Sequence, residues 1–300
     1  MKKILVTGGS GLVGRNLKKY FPEAVFLSSR DYNLTDESDV LRMFSDHKPN
    51  VVIHLAARVG GIIDNMAFPA DYFTENILMN TLLIKYAHLF EVERFLGILS
   101  TCVYPDAVDF YPLKESDLHV GKPTETNFSY GYAKRAMAVQ IDSYNQQFKT
   151  KYNYLIPCNL YGDGDKSDPD KSHFVTALIK KINDAIIDGE NHITLYGDGT
   201  PLRQFLHADD FAKTIQYVIN NDIFDSFNVA TEEIYTIKEI AEIALKCCHA
   251  EHLEIRFDNT KPNGQYRKDV SIKKLQQVMP NYSPMSLEEG IKRTHATFSL

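Results

Sequence analysis

The sequence predicts an α/β fold: a doubly wound parallel sheet, followed by a smaller mixed α/β region at the C-terminal end. Three observations predict it. Short apolar runs alternate with helical segments through roughly the first half of the chain, as in parallel sheets. A glycine-rich segment directly follows the first apolar run. The alternation stops after Tyr161 at a polar loop, residues 162–170, where we expect a domain boundary.

The predicted strands are short and apolar, as buried parallel strands are. They cover residues 4–6, 24–27, 51–55, 95–99 and 154–156. The first helix is expected to start near Gly11 and to end by Pro22, and the next three cover 35–47, 71–90 and 129–148. Thr35 is the predicted N-cap of the second helix. Right-handed crossovers place the loops after the strands along one edge, where ligands bind.

The composition is that of an ordinary globular protein. Of 300 residues, 44% are hydrophobic and 24% charged, and the formal net charge of -6 gives no sign of a nucleic-acid surface. Four cysteines (Cys102, Cys158, Cys247, Cys248) show no metal spacing, so we predict no metal site. A reduced, cytoplasmic setting fits them best. We expect neither a signal peptide nor a membrane partner, because the apolar runs are too short.

A dinucleotide-binding fingerprint lies directly after the first predicted strand. Its glycines would let the backbone approach a pyrophosphate at the start of a helix. The predicted cofactor residues here are Gly8, Ser10, Gly11, Leu12, Val13 and Gly14. The alternative is a glycine-rich turn without a ligand.

The end of the second strand favours NADP over NAD. An acidic residue at this point would bind the ribose of NAD, but the chain has Ser28, Ser29 and Arg30. Two hydroxyls and a guanidinium suit a 2′-phosphate. Asp31 follows directly and leaves NAD as an alternative, and a solvated surface arginine is the structural alternative for Arg30.

A possible ketone-reducing group follows from Tyr130, Lys134 and Ser100. The tyrosine and the lysine are four residues apart and share a helical face. A nearby ammonium and an oxidised nicotinamide would lower the tyrosine pKa from its usual ~10. The phenol would then donate a proton as hydride reaches a carbonyl carbon, while Ser100 binds the carbonyl oxygen.

Cys102 lies two residues after Ser100 and is a candidate acid or base at a carbon beside that carbonyl. The alternative for Cys102 is a small packed residue. We expect packing for Cys158, a core position for His54, and a structural role for His207 at a turn and helix start.

The chain resembles the extended short-chain dehydrogenase/reductases over nearly its whole length. The segments that carry the resemblance are Leu55-Ala56-Ala57-Arg58-Val59-Gly60-Gly61-Ile62, Asn65, Pro69-Ala70-Asp71, Ser100-Thr101-Cys102-Val103-Tyr104-Pro105, Tyr130-Gly131-Tyr132-Ala133-Lys134, Asn159-Leu160-Tyr161-Gly162, Ser172-His173 and Gly199-Thr200-Pro201-Leu202-Arg203-Gln204-Phe205-Leu206-His207. The Val-Gly-Gly-Ile segment and the Cys102/His173 pair are specific to the subgroup that epimerises and reduces a GDP-4-keto sugar.

The resemblance implies roles for these residues. Ser100, Tyr130 and Lys134 would form the reductase triad, and Cys102 and His173 the epimerase pair. NADP(H) would also be bound by residues that share the edge of the predicted sheet, namely Asn33, Leu34, Ala56, Ala57, Lys134, Pro157, Asn159, Leu160 and His173. The implied reaction is conversion of GDP-4-keto-6-deoxy-D-mannose to GDP-L-fucose. A homodimer formed by helices 71–90 and 129–148 is implied as well.

The substrate end departs from the family pattern. Lys181 stands where an arginine is usual, Tyr196 where a tryptophan is frequent and Asn263 where an aspartate is frequent, whereas Arg203 and Lys268 are retained. We expect these five residues to bind the GDP-sugar. The departures leave three alternatives open: reduction of a GDP-6-deoxy-4-keto-heptose, reduction of a colitose precursor, or a catalytically silent NADP-binding protein.

The predicted domains follow from the polar loop and the resemblance. Residues 1–161 would form an NADP-binding Rossmann domain, to which residues 205–230 return. Residues 162–204 and 231–300 would form the substrate-binding domain.

Overall fold

The computed structural model describes residues 2–165 and 173–298 of the chain. The strands of the described residues are β1 (Ile4–Thr7), β2 (Val25–Leu27), β3 (Val51–His54), β4 (Arg94–Ile98), β5 (Tyr152–Pro157), β6 (Asn159–Tyr161), β7 (His192–Tyr196), β8 (Leu202–Arg203), β9 (Phe205–His207), β10 (Phe227–Val229), β11 (Tyr235–Thr236) and β12 (Glu254–Asp258).

The helices alternate with the strands through the first half, and further helices and short strands follow in the second half. They are α1 (Leu12–Leu17), α2 (Glu37–His47), α3 (Ile62–Ala67), α4 (Pro69–Leu89), α5 (Phe128–Phe148), α6 (Phe174–Ile187), α7 (Ala208–Asn220), α8 (Ile237–Cys247), α9 (Lys273–Val278) and α10 (Leu287–Ala296). Three 3₁₀ turns cover Thr101–Val103, Glu115–His119 and Glu125–Asn127. None of the helices within 2–165 and 173–298 is long and apolar enough to cross a membrane.

A six-stranded parallel sheet forms the centre of the molecule, in the order β10-β5-β4-β3-β1-β2. The strand order reverses beside β1, and ligands bind at such a switch point in doubly wound sheets. The predicted doubly wound fold is therefore confirmed. The carboxyl ends of β1, β3, β4 and β5 lead into the glycine loop, Leu55, Leu99 and Cys158 respectively.

The five predicted strands and four predicted helices of the first half are present, with ends that differ by a few residues. The helix α1 ends at Leu17, before the predicted limit at Pro22. The predicted cap Thr35 is wrong. Asp36 is the N-cap of α2, because its carboxylate accepts hydrogen bonds from the N–H groups of Ser38 and Asp39 at 2.8 and 3.3 Å.

Two hydrophobic clusters underlie the sheet and the C-terminal part. The larger one joins the central sheet to residues of α7 and β10 and also includes Val270, Ile272 and Leu275. The smaller one joins α6, α8 and α10. By packing, residues 270–275 thus lie with the sheet, whereas the sequence division placed them in the second domain. The two-domain division itself stays a prediction.

The C-terminal part is mixed, as predicted. β7 and β12 pair in parallel, β8 and β11 pair antiparallel, and β6 pairs with β9 in parallel. β6 continues the chain directly after β5, so this small ladder lies next to the edge where the central strands end.

Candidate active site

A cavity of about 990 Å³ opens at the carboxyl edge of the central sheet. Its wall includes almost all residues that the sequence predicts for the cofactor and for catalysis. These are Gly8, Ser10, Gly11, Leu12, Val13, Gly14, Asn33, Leu34, Ala56, Ala57, Ser100, Cys102, Tyr130, Lys134, Pro157, Asn159, Leu160 and His173. The fold thus brings segments from most of the first 173 residues to one place.

The glycine loop has room for a ligand on one side only. A Cβ on Gly8, whose φ is +72°, would lie 2.7 Å from the backbone nitrogen of Ala56. A Cβ on Gly14 would lie 2.6 Å from the carbonyl oxygen of Gly8. A Cβ on Gly11, by contrast, would meet only that same oxygen, at 3.3 Å. Gly11 caps α1 without a side chain, and this open cradle fits the pyrophosphate of a dinucleotide.

The loop after β2 leaves Arg30 at the surface, and its contact with a 2′-phosphate stays a prediction. Ser28 and Ser29 line the cavity, but Arg30 is exposed and lies outside its wall. The Asp31 carboxylate accepts from the Ser28 N–H at 2.7 Å and the Ser28 hydroxyl at 2.8 Å. This turn is closed by a bond from the Asp31 N–H to the Ser28 carbonyl at 3.1 Å, which places Arg30 at its outer corner.

The three residues predicted to form the reductase triad, Ser100, Tyr130 and Lys134, lie in the wall of one cavity. Burial raises the pKa of Tyr130, and the neighbouring Cys102 and Tyr72 raise it further, whereas a hydrogen bond with Ser100 lowers it. Lys134 donates to the carbonyl oxygen of Ile98 at 2.8 Å. Burial lowers the pKa of Lys134 to about 7. The predicted lowering of the tyrosine pKa also depends on an oxidised nicotinamide and stays a prediction; in the protein without cofactor, burial raises the pKa of Tyr130.

A buried hydrogen-bond chain supports the helix that carries Tyr130 and Lys134. His54 is fully buried, as predicted, and its ring nitrogens lie 2.8 Å from the Thr7 hydroxyl and 2.9 Å from the Asn80 amide oxygen. Asn80 donates in turn to the carbonyl oxygen of Ala133 in α5. Burial lowers the pKa of His54 to about 3, so this histidine is a neutral link between β1, β3, α4 and α5.

Cys102 has two nitrogen donors on its sulfur. The Asn127 side-chain amide lies 3.0 Å from Sγ, and the Lys268 ammonium lies 3.3 Å from it. Burial alone would raise the pKa of this thiol. The positive charge of Lys268, hydrogen bonds with Ser100 and Lys268, and the charge of Arg203 outweigh that effect and lower the pKa below its ordinary value.

His173 is held by a carboxylate that the sequence reasoning missed. Its Nδ1 lies 3.1 Å from both oxygens of Asp165, and its backbone N–H donates to the same carboxylate at 2.9 Å. Because a carboxylate accepts, Nδ1 carries the proton and Nε2 is left for other partners. Asp165 belongs to the polar loop of residues 162–170, which was predicted to be a domain boundary. Its closeness to His173 in sequence, eight residues, is the one sequence signal for this pair.

Asn127 was missed for a different reason. It lies three residues before Tyr130, at the end of the 3₁₀ turn that leads into α5. An asparagine just before a helix is usually a cap, but here no side-chain cap bond is made. Its amide reaches the sulfur of Cys102 instead, 25 residues away in sequence.

The five predicted substrate residues lie outside the wall of the cavity. Lys181 donates to the Thr194 carbonyl at 2.6 Å, and the exposed ring of Tyr196 has the ammonium groups of Lys181 and Lys261 each 5.9 Å from its centroid. The Asn263 amide oxygen accepts from the Asp198 N–H at 2.8 Å.

Of these five residues, Arg203 and Lys268 are the two whose charges act on Cys102. Both place positive charge at Cys102. Lys268 is 8% exposed, and burial lowers the pKa of Arg203 to about 10.

Two other expectations are confirmed. His207 is the N-cap of α7, where its Nδ1 accepts from the Asp209 N–H at 3.2 Å. Cys158 is buried, and burial raises its pKa to about 12. Neither side chain has the environment of a catalytic acid or base in this structure.

Comparison with known proteins agrees with this geometry. The profile of the NAD dependent epimerase/dehydratase family matches residues 4–230. The chain belongs to this family. A probable GDP-L-fucose synthase from Drosophila melanogaster is 34% identical, over 97% of this chain and 95% of that protein. A GDP-L-colitose synthase from Yersinia pseudotuberculosis is also 34% identical, over 97% and 96%.

A solved structure supports the same membership in the epimerase/dehydratase family. The GDP-L-fucose synthetase from Naegleria fowleri bound to NADP superposes with a TM-score of 0.90 at 30% identity. The match covers 99% of this chain and 92% of that one. The structural likeness therefore extends over almost the entire fold and not over the first half alone.

Proposed function

We propose that this protein converts GDP-4-keto-6-deoxy-D-mannose to GDP-L-fucose with NADPH, by epimerisation at C3 and C5 and reduction at C4. The observation that carries the proposal is the position of Cys102 in the same cavity wall as Ser100, Tyr130 and the glycine loop. A ketone reductase needs only the serine, tyrosine and lysine. The thiol held by Lys268 adds a base beside the ketone. The relatives named as GDP-L-fucose synthases support this substrate class.

The glycine loop would hold the pyrophosphate, and the residues after β3 and β5 would hold the remaining parts of NADP(H). Bound NADPH would supply the hydride that reduces C4. Ser100 and Tyr130 bind the C4 oxygen, and Tyr130 donates its proton to that oxygen. Because burial raises the pKa of Tyr130, the phenol keeps this proton until the carbonyl oxygen becomes basic. Lys134 donates a hydrogen bond to the Ile98 carbonyl oxygen and so fixes α5 against the end of β4.

The epimerisations use the acidity that the ketone gives to the hydrogens on C3 and C5. Cys102 removes such a proton, and the electron pair passes to the C4 oxygen as an enolate. Ser100 and Tyr130 stabilise that oxygen. His173 as an imidazolium returns its Nε2 proton to the carbon and becomes a neutral imidazole, while its Nδ1–H stays on Asp165. Two groups on opposite sides of a carbon invert it, whereas one group alone returns the original epimer.

Lys181, Tyr196, Arg203, Asn263 and Lys268 bind or face the nucleotide-sugar in this proposal. They belong to the substrate domain, and the protein is cytoplasmic.

The protein forms a homodimer through α4 and α5, on which Leu78, Leu89, Val139 and Phe148 are exposed apolar side chains. Light scattering on the purified protein tests the dimer, and a monomeric mass excludes it.

The test is incubation with GDP-4-keto-6-deoxy-D-mannose and NADPH, with the product sugar identified by NMR. We expect GDP-L-fucose, and we expect the Tyr130→Phe variant to lose NADPH oxidation by about 10²-fold or more. Full reduction by that variant would exclude Tyr130 as the proton donor.

A second candidate substrate follows from the GDP-L-colitose synthase among the relatives. It is the corresponding GDP-4-keto sugar without the C3 hydroxyl, and it is assayed in parallel. Faster turnover of this sugar would reassign the substrate while leaving the reductase chemistry in place. A failure of both sugars, in a protein that binds NADPH, would refute the proposed function.

A further inference from the structure

Lys268 has an unusual position for a substrate-binding lysine. It is 8% exposed, and its ammonium lies 3.3 Å from the sulfur of Cys102. A buried ammonium is costly unless a partner compensates its charge. The adjacent carboxylate, Asp269, is bound by Arg267 at 2.6 and 3.1 Å. Within residues 2–165 and 173–298, no ion pair joins Lys268 to a carboxylate.

The sulfur of Cys102 has the surroundings of an anion. Asn127 and Lys268 both direct N–H groups at it, at 3.0 and 3.3 Å, and Arg203 adds a second positive charge. A neutral thiol would leave the buried ammonium without a counter-charge. The phenol of Tyr130 also faces the sulfur, and burial raises its pKa, so it is neutral at ordinary pH. The charged side chains named for the pKa of this thiol among the described residues, Lys268 and Arg203, are both cations.

We propose that Lys268 is a positioning residue that holds Cys102 as a thiolate at the cavity wall, with Asn127 as its second hydrogen-bond donor. In the predicted role Lys268 would bind the substrate; here it acts through the cysteine. The thiolate is the reactive form of cysteine as a base or nucleophile. When Cys102 takes up a proton, the pair of ammonium and thiolate becomes an ammonium beside a neutral thiol.

The consequence for catalysis rests on the proposed function. The proton on the carbon beside the ketone moves to Cys102 Sγ, and the C–H electron pair becomes the enolate. Charge thereby passes from the sulfur to the C4 oxygen, which Ser100 and Tyr130 bind. The state of the thiol in the resting protein does not depend on which sugar is the substrate, so it is tested without one.

The experiment is alkylation by iodoacetamide between pH 5 and 10, with the modified peptide identified by mass spectrometry. Cys102 is partly exposed to the cavity, whereas Cys158, Cys247 and Cys248 are buried. We expect the rate at Cys102 to be half-maximal below pH ~8.5, the value of a free thiol. Lys268→Met should shift this midpoint upward by about one pH unit and slow alkylation about tenfold at pH values below both midpoints.

Two further variants separate charge from packing. Lys268→Arg keeps the positive charge and should stay near the wild-type profile. Lys274→Met is the matched control, because Lys274 is also a partly buried lysine of the same segment, whose ammonium binds the Ser226 carbonyl at 2.8 Å. It should leave the Cys102 profile unchanged.

An unchanged profile in folded Lys268→Met would overturn the proposal. If Lys268→Met does not fold, as judged by circular dichroism, the wild-type midpoint decides alone, and a value at or above ~8.5 refutes a resting thiolate. A shifted alkylation profile in a protein that turns over no GDP-sugar would uphold the ion pair and reject the proposed function.

Discussion

Alanine substitutions at two glycines of the loop after β1, Gly8 and Gly11, test the proposed cofactor site, because each adds a single methyl group. A Cβ on Gly8 would lie 2.7 Å from the Ala56 backbone nitrogen, and φ at Gly8 is +72°. The strained backbone costs about 1–2 kcal/mol for a residue with a Cβ, and the overlap costs about 1–3 kcal/mol. Gly8→Ala should therefore lower the free energy of unfolding by about 2–5 kcal/mol.

Gly11→Ala should behave differently. Its Cβ would meet only the Gly8 carbonyl oxygen at 3.3 Å, and φ is -78°. Replacing glycine by alanine at an N-cap costs about 0.5–1 kcal/mol. The methyl group would instead stand in the space that the pyrophosphate needs. An overlap of about 1–3 kcal/mol corresponds to NADPH binding about 5- to 150-fold weaker.

The assay is fluorescence titration with NADPH together with denaturant unfolding of the ligand-free protein. Gly61→Ala is the matched control, since Gly61 caps α3 with nearly the same backbone (φ -67°, ψ 176°) and its Cβ would meet nothing within 4 Å. It should bind NADPH as the wild type does. Equal NADPH affinities for Gly11→Ala and Gly61→Ala would refute a pyrophosphate over Gly11.

Two further predictions concern charge in the site. Asp165→Asn should slow solvent-deuterium incorporation at C3 and C5 about tenfold or more, because His173 loses the carboxylate that fixes its tautomer. NMR of the product measures the incorporation. An unchanged rate would show that Asp165 does not orient His173. The pKa of Lys134 is lowered by burial from 10.5 to about 7, so the unfolded state binds more protons between these pH values and stability rises with pH there. From pH 7 to 9 the free energy of unfolding should rise by about 2 kcal/mol, and this rise should vanish in Lys134→Met. Denaturant unfolding of both proteins at both pH values measures it. Equal rises in the two proteins would contradict the prediction.

The sequence could predict the elements whose interactions are local. Tyr130 and Lys134 are four residues apart, so a helix over both places them on one face whatever surrounds it. The glycine fingerprint likewise depends on a strand, a turn and a helix in succession. The error at Thr35 is of the same local kind: Asp36 beside it is an equally good cap, and only the described backbone decides between the two.

The surroundings of Cys102 could not be predicted in this way. Asn127 and Lys268 lie 25 and 166 residues away in sequence, and no local pattern relates them. Lys268 was predicted for the substrate by resemblance, which gave its residue type and general place but not its contact with sulfur. The contact of Arg30 with a 2′-phosphate stays a prediction for a related reason, since the direction of an exposed side chain after β2 depends on the turn and on the bound ligand.

The distribution of positive charge assigns the acid and the base within one cavity. Lys134 is the cation nearest to Tyr130 in sequence, yet its ammonium binds the Ile98 carbonyl, and burial lowers its pKa to about 7. Tyr130 therefore keeps its proton and is suited to donate it. Lys268 and Arg203 lie instead at Cys102, whose pKa they lower. Opposite pKa shifts in two neighbouring groups separate an acid from a base. An anionic sulfur also raises the pKa of Tyr130, so the two proposed roles reinforce each other: the thiolate proposed to remove a carbon-bound proton would help the phenol retain the proton proposed for reduction.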